Sequence, residues 1–144
     1  EYHLVVHIWV VSSNGRFLIQ RRAESKKLMP GEWAATGGAA IAGEDSYTAA
    51  NRELFEELGI SSNRHTLKKL VRLKRRNSLL DIWFMNADIP SGSLKLQQSE
   101  VAEAKWVSRG EFEQMIHDGK FHNYGNEYFN TLFDKIDSLL GVTV

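Results

Sequence analysis

GAAIAGEDSYTAANRELFEELGI, Gly38 to Ile60, puts an apolar stripe and an acid-rich face into one short segment. Wound as an α-helix, Glu53 and Glu57 lie about 40° apart, with Glu56 about 60° to the other side of Glu53. Three carboxylates then share one arc, and Arg52 is the only cation beside them. Like charges at this spacing cost a few tenths of a kcal/mol per pair unless something neutralises them. A hard divalent cation does so naturally, because it takes oxygen ligands and keeps positions open for phosphate and water. An acidic run on a helix is by itself commonly a solvated face, but here its neighbours are apolar. Tyr47, Ala50, Leu54 and Leu58 recur at helical spacing as a buried stripe. Asp45 or Ser46 is placed to cap the helix N-terminus, and Gly59 to end it in a left-handed conformation with Ile60 packing behind. The glycines before the helix suggest close backbone approach to a ligand.

These residues carry a resemblance. The segment is similar to the Nudix box, G-x5-E-x7-R-E-U-x-E-E-x-G-U with U a bulky aliphatic residue. Gly38, Glu44, Arg52, Glu53, Leu54, Glu56, Glu57, Gly59 and Ile60 meet every specified position. The box covers a small part of the 144 residues, so the remainder is read on its own terms.

That length fits one domain spanning residues 1–144 with a real core. Lysine and arginine number 18, as do aspartate and glutamate, so there is no broad electrostatic footprint for nucleic acid or an anionic membrane. No apolar run is long enough to span a bilayer, and the first residues do not read as a secretory signal. The chain has no cysteine, which rules out disulfides, thiolate metal sites and cysteine nucleophiles; a cytoplasmic location is the default expectation.

Tyr2 to Val11 is β-branched and aromatic and reads as a buried strand. Ser12 to Gly15 reads as a turn, and Phe17 to Arg22 as the returning strand of a hairpin. Ala23 to Glu32 is a loop with basic side chains, and Trp33 to Ile41 a short strand passing through Gly37-Gly38. Thr66 to Lys74 and Leu79 to Ile89 form two strands joined around Arg75-Arg76-Asn77-Ser78. Val101 to Val107 alternates as a half-exposed strand. Ser108 to His117 is an amphipathic helix opened by a Ser108/Glu111 capping box, and Tyr128 to Leu140 is another. Strands around one central helix, followed by terminal helices, point to the α/β class. The resemblance implies the same: an α/β/α sandwich with a mixed central β-sheet, the box forming a loop-helix-loop.

The resemblance also implies chemistry: hydrolysis of the diphosphate linkage in a nucleoside diphosphate joined to a group X, with Mg²⁺ or Mn²⁺ as cofactor. Glu53 and Glu57 would be the main metal ligands, Glu56 a further ligand or water-orienting base, and the Gly38 carbonyl a ligand from the backbone. Arg52 would hold the box together by pairing with Glu44 or Glu56. Glu100 stands where many Nudix proteins place a downstream acid facing the site. Arg22 ends a strand leading toward the site, and Lys26 or Lys27 follows in the loop; these would meet substrate phosphates. Trp33, Trp83 and Tyr47 are candidates for stacking a base but read first as core aromatics, and His7 reads as a core histidine. The partner implied is a small-molecule diphosphate, with no nucleic acid and no membrane; a homodimer is compatible with the sequence. KKLMPGEW before the glycine pair also resembles a Nudix branch that includes isopentenyl diphosphate isomerases, where His3 and His7 match part of a histidine cluster. Such isomerases need a cysteine, absent here, and a histidine where Ala39 stands. A non-catalytic nucleotide-binding module would be expected to have lost box glutamates, and all are present.

Overall fold

The computed structural model describes residues 3–141, and Tyr2, the first residue of the expected opening strand, lies outside them. Three helices and seven strands form among the described residues. β1 (His3–Val11) and β6 (Ser78–Asn86) pair in parallel along their whole length, and β5 (Lys68–Lys74) pairs antiparallel with β6. β2 (Phe17–Arg22) pairs antiparallel with β7 (Val101–Val107) on one edge and with β3 (Trp33–Ala34) on the other. β4 (Thr36–Ala39) lies antiparallel along β1. The sheet is therefore mixed, as expected.

The expected β1–β2 hairpin is corrected to a single paired position, Val11 with Phe17. Beyond it the two strands part like a fork. β3 follows the β2 prong and β4 the β1 prong, so residues 33–39 line the crotch. The strand expected from Trp33 to Ile41 is thus two short strands interrupted at Ala35. The physical reason lies in the glycines. A side-chain carbon at Gly37 would stand 2.0 Å from the Val6 carbonyl oxygen, so only glycine lets β4 lie this close to β1.

Two apolar cores cover opposite faces of the sheet. On one face Val6, Ile8 and Val10 meet Leu54 and Leu58 of α1 (Ser46–Leu58). On the other, Trp9, Phe17, Phe112, Phe121, Phe129 and Phe133 pack ring against ring, several pairs edge-to-face, beneath α2 (Arg109–His117) and α3 (Asn126–Leu140). This is an α/β/α sandwich, and the alternation of β1 side chains supplies both cores at once. The helix ends follow local chemistry. Asp45 accepts from the Thr48 amide and caps α1, Gly59 ends it at φ 71°, and the Ser108/Glu111 capping box forms as expected. No helix among the described residues is long and apolar enough to cross a membrane.

Replacing Gly37 with alanine forces β4 off β1 or strains a residue at φ 150°. Chemical denaturation of Gly37→Ala is expected to give an unfolding free energy lower by about 3 kcal/mol or more; a change below about 1 kcal/mol would show that the strand simply slides aside.

Candidate active site

The fork opens into a cleft of about 570 Å³ bounded by the acidic face of α1, the β3–β4 segment and the ends of β1 and β2. Arg22, Lys26, Gly38, Arg52, Glu53, Glu56, Glu57 and Glu100 all line it. Most of the residues singled out in the sequence therefore meet at one place.

Glu57 is the innermost carboxylate, only 4% exposed. It accepts hydrogen bonds from Gln20 Nε2 (2.9 Å) and the Gly37 amide (3.4 Å). Thr36 Oγ1 donates to Gln20 Oε1 (3.0 Å), which turns the Gln20 amide group so that its nitrogen faces Glu57. Among the described residues no cation reaches this carboxyl, and burial, a hydrogen bond with Glu53 and the Glu53 charge push its pKa up to about 9. Asp81, the other buried acid of the fold, is a useful contrast. Burial pushes it the same way, but bonds from Arg72 (2.7 and 2.9 Å) and Lys69 (3.2 Å) outweigh burial and lower its pKa. Asp81 is a matched structural ion; Glu57 is held ready without its counter-charge.

Arg52 does not supply that charge, because it is largely engaged elsewhere. It grips Glu44 with two nitrogens (2.7 and 2.9 Å), touches the Ala39 carbonyl (3.3 Å), and gives Nη1 to Glu53 (2.8 Å) and Glu56 (3.3 Å). Glu44 in turn accepts from the Ile41 amide, and both contacts hold its pKa below the usual range. Arg52 is thus the clamp that fastens the loop before α1 to the helix, as expected. Glu53 is 13% exposed and lies against Gly38, where a side-chain carbon would stand 3.1 Å from its carboxylate.

Glu56 shares Arg52 Nη1 with Glu53 but sits on the cleft rim, 44% exposed, and among the described residues no three acidic or histidine side chains converge closely enough to hold an ion by themselves. His3 and His7 assemble no histidine metal site either. Gly38 stands opposite Val6 in the β1–β4 ladder and lines the cleft beside Glu53. Gly38 contributes its missing side chain, which leaves room for Glu53.

Glu53 and Glu57, with the remaining positions left to phosphate oxygens and water, are a donor set that Mg²⁺ or Mn²⁺ takes, and their surplus negative charge fits a divalent cation. Glu100 faces the same cleft and pairs with Lys26. Its place is set by main-chain bonds. Lys95 N and Gln97 N donate to the last carbonyls of α1, at Leu58 (3.0 Å) and Glu57 (3.2 Å), and Ala23 N donates to Glu100 O (3.0 Å). Of the two loop lysines, Lys26 lines the cleft; Lys27 is exposed and does not. Arg22 gives Nε to the Leu28 carbonyl (2.8 Å), which aims its terminal nitrogens.

Gln20, Gly37 and Tyr124 also line the cleft and were not singled out as site residues. A lone amide in the apolar run Phe17-Leu18-Ile19-Gln20 was the available signal for the first and the glycine pair for the second; nothing local marks Tyr124.

A NUDIX domain model matches residues 1–125 of this sequence. The chain belongs to the Nudix family. It is 35% identical over 135 residues to a Nudix hydrolase of Listeria monocytogenes, covering 93% of this chain and 79% of that one. Its fold is similar to that of DR0079 from Deinococcus radiodurans, with TM-score 0.73 at 22% identity, covering 90% of this chain and 80% of the other. It is also similar to the NUDIX domain of Shewanella oneidensis NrtR, solved with ADP ribose, with TM-score 0.73 at 15% identity over 94% and 89% of the two chains. As a Nudix hydrolase the chain keeps its box intact on α1 and in the loop before it.

The raised Glu57 pKa has a sign that can be measured without metal. The folded chain holds this proton up to about pH 9, whereas the unfolded chain releases it near 4.5. Between those values the unfolded state binds fewer protons, so the stability Glu57 allows is full below the lower pKa and is lost as pH rises through the upper one. Melts in chelator across that window are expected to give a Tm that falls more steeply with pH for the wild type than for Glu57→Gln. Parallel curves would mean that Glu57 titrates normally.

Proposed function

We propose that this Nudix hydrolase cleaves the diphosphate linkage of a nucleoside diphosphate joined to a second group X, with Mg²⁺ or Mn²⁺ as cofactor. The observation that carries this reading is the buried Glu57 carboxyl beside Glu53, surrounded by uncharged donors where a structural acid would have a cation. Glu53 and Glu57 would hold the ion against the Gly37-Gly38 turn of the backbone. Once bound, a divalent ion supplies Lewis acidity, drawing charge from phosphate oxygens and making water a better nucleophile.

The chain's own groups divide the remaining work. Arg22, through its terminal nitrogens, and Lys26 offer positive charge to the phosphates from the opposite wall. Of the two loop lysines offered by the sequence, Lys26 is the one that lines the cleft. Glu56 on the rim and Glu100 across the cleft are the carboxylates placed to orient water and accept its proton. Arg52 and Glu44 fix the loop and helix that carry these groups. A nucleoside diphosphate sugar heads the substrates to try, since the similar NrtR domain was solved with ADP ribose.

Release of monophosphate or phosphate from a panel of diphosphates, with and without Mg²⁺ or Mn²⁺, tests the reading. Glu53→Gln and Glu57→Gln are each expected to lower kcat by about 100-fold or more while the fold is kept. Full metal-dependent activity in both variants would remove these carboxylates from the mechanism.

A further inference from the structure

The wall of the cleft away from the carboxylates holds a hydrogen-bond chain that the hydrolytic chemistry leaves unused. Trp9 Nε1 donates to the Tyr128 hydroxyl (2.9 Å), and that hydroxyl lies 2.7 Å from His7 Nδ1. Indole nitrogen is a donor only, so the Tyr128 oxygen accepts from Trp9. Tyr128 is fully buried, and among the described residues the one acceptor for its own proton is His7 Nδ1. A buried hydroxyl proton left unpaired is unfavourable, so Tyr128 donates and Nδ1 carries no hydrogen. The His7 proton is therefore on Nε2, and the ring is an uncharged donor. Among the described residues Nε2 has no partner, and His7 lines the cleft.

Tyr124 stands beside it, its ring centroid 4.9 Å from that of His7. The Tyr124 hydroxyl accepts from the Ala35 amide (3.1 Å), and among the described residues its own proton has no acceptor. Two uncharged donors therefore share one recess. It adjoins the metal-facing wall directly, because His7 is the ladder partner of Gly37, whose amide reaches Glu57.

We propose that His7 Nε2–H and the Tyr124 hydroxyl are specificity-determining donors that bind hydroxyl, carbonyl or ring-nitrogen acceptors on the sugar or base of group X. This rests on the hydrolase reading above. The diphosphate, an anion, goes to Arg22, Lys26 and the carboxylate side; a neutral donor pair suits the uncharged part of the substrate. A recess built only of donors discriminates against a group X lacking acceptors, because both protons then lose water without replacement.

The test uses the full chain with Mg²⁺ and whichever of ADP-ribose, diadenosine tetraphosphate or the nucleoside triphosphates it cleaves with the highest kcat/KM. Inorganic pyrophosphate, which has no group X, serves as the competing ligand. His7→Phe and Tyr124→Phe are each expected to raise KM about tenfold with kcat nearly unchanged, while inhibition by pyrophosphate stays as in the wild type. Two further variants separate recognition from structure. His7→Asn places its amide at the Nδ1 position and can still serve Tyr128, whereas His7→Gln places a donor at the reach of Nε2. KM should recover in His7→Gln and not in His7→Asn, and this pair decides the matter even if His7→Phe does not fold. An unchanged KM, equal recovery in both amide variants, or a matching rise in the pyrophosphate inhibition constant would overturn the assignment. If the wild type cleaves no member of the panel, the hydrolase reading itself falls, and this inference with it.

Discussion

A carboxyl group kept out of water without a cation is the constraint around which the molecule is arranged. Burying Glu57 costs energy that three neutral or partial contacts, from Gln20, Gly37 and Glu53, offset only in part. Holding it there requires a rigid frame on every side. The apolar stripe of α1 seats the helix on Val6, Ile8 and Val10. Arg52 and Glu44 lock the preceding loop, and Thr36 locks the rotamer of Gln20. Such local disagreement between burial and charge compensation is what a functional site tends to carry and a structural pair such as Asp81–Arg72 does not.

The forked sheet gives this constraint its geometry. If β1 and β2 stayed paired past Val11 and Phe17, their side chains would close the space where the cleft now lies. The Gly37-Gly38 pair permits the alternative by two separate means. Gly37 lets β4 lie against β1, and Gly38 leaves space for Glu53. Parallel pairing of β1 with β6 then gives the central strand a second neighbour, so it can lose β2 without becoming an exposed edge.

What could be read from the sequence was what is local. The box helix, its caps, the β5–β6 hairpin and the Ser108 capping box all rest on residues within a few positions of one another, and each formed as expected. The meeting of Arg22, Arg52, Glu53, Glu57 and Glu100 followed from the family resemblance, since nothing in their spacing brings positions this distant together. Three features were out of reach for definite physical reasons. The fork depends on a contact between Gly37 and Val6, which are far apart in the chain. Whether Lys26 or Lys27 turns inward depends on loop backbone that no periodicity encodes. Glu56 shares the helical arc of Glu53, yet Arg52 and solvent draw it to the rim, and helical angles alone do not resolve that competition. His7 was read as a core histidine from its apolar strand; its ring does bond inward to Tyr128, but the residue also lines the cleft.

The strap from Lys95 to Glu100, which crosses the end of α1, carries a consequence for how this chain can vary. Lys95 and Gln97 engage the end of α1 through amide nitrogens, and Gly59 lies so close to Lys95 that a side-chain carbon would come within 2.8 Å. Leu96 packs on the core beneath α1 and Gln97 lines the cleft, but the strap is held to the helix by its backbone, so its length is constrained above all. Exposed residues can drift there without moving Glu100, but a single insertion between Lys95 and Glu100 would carry that acid out of register with the helix, while the turn at Ser91 to Ser93 just upstream could lengthen without disturbing either.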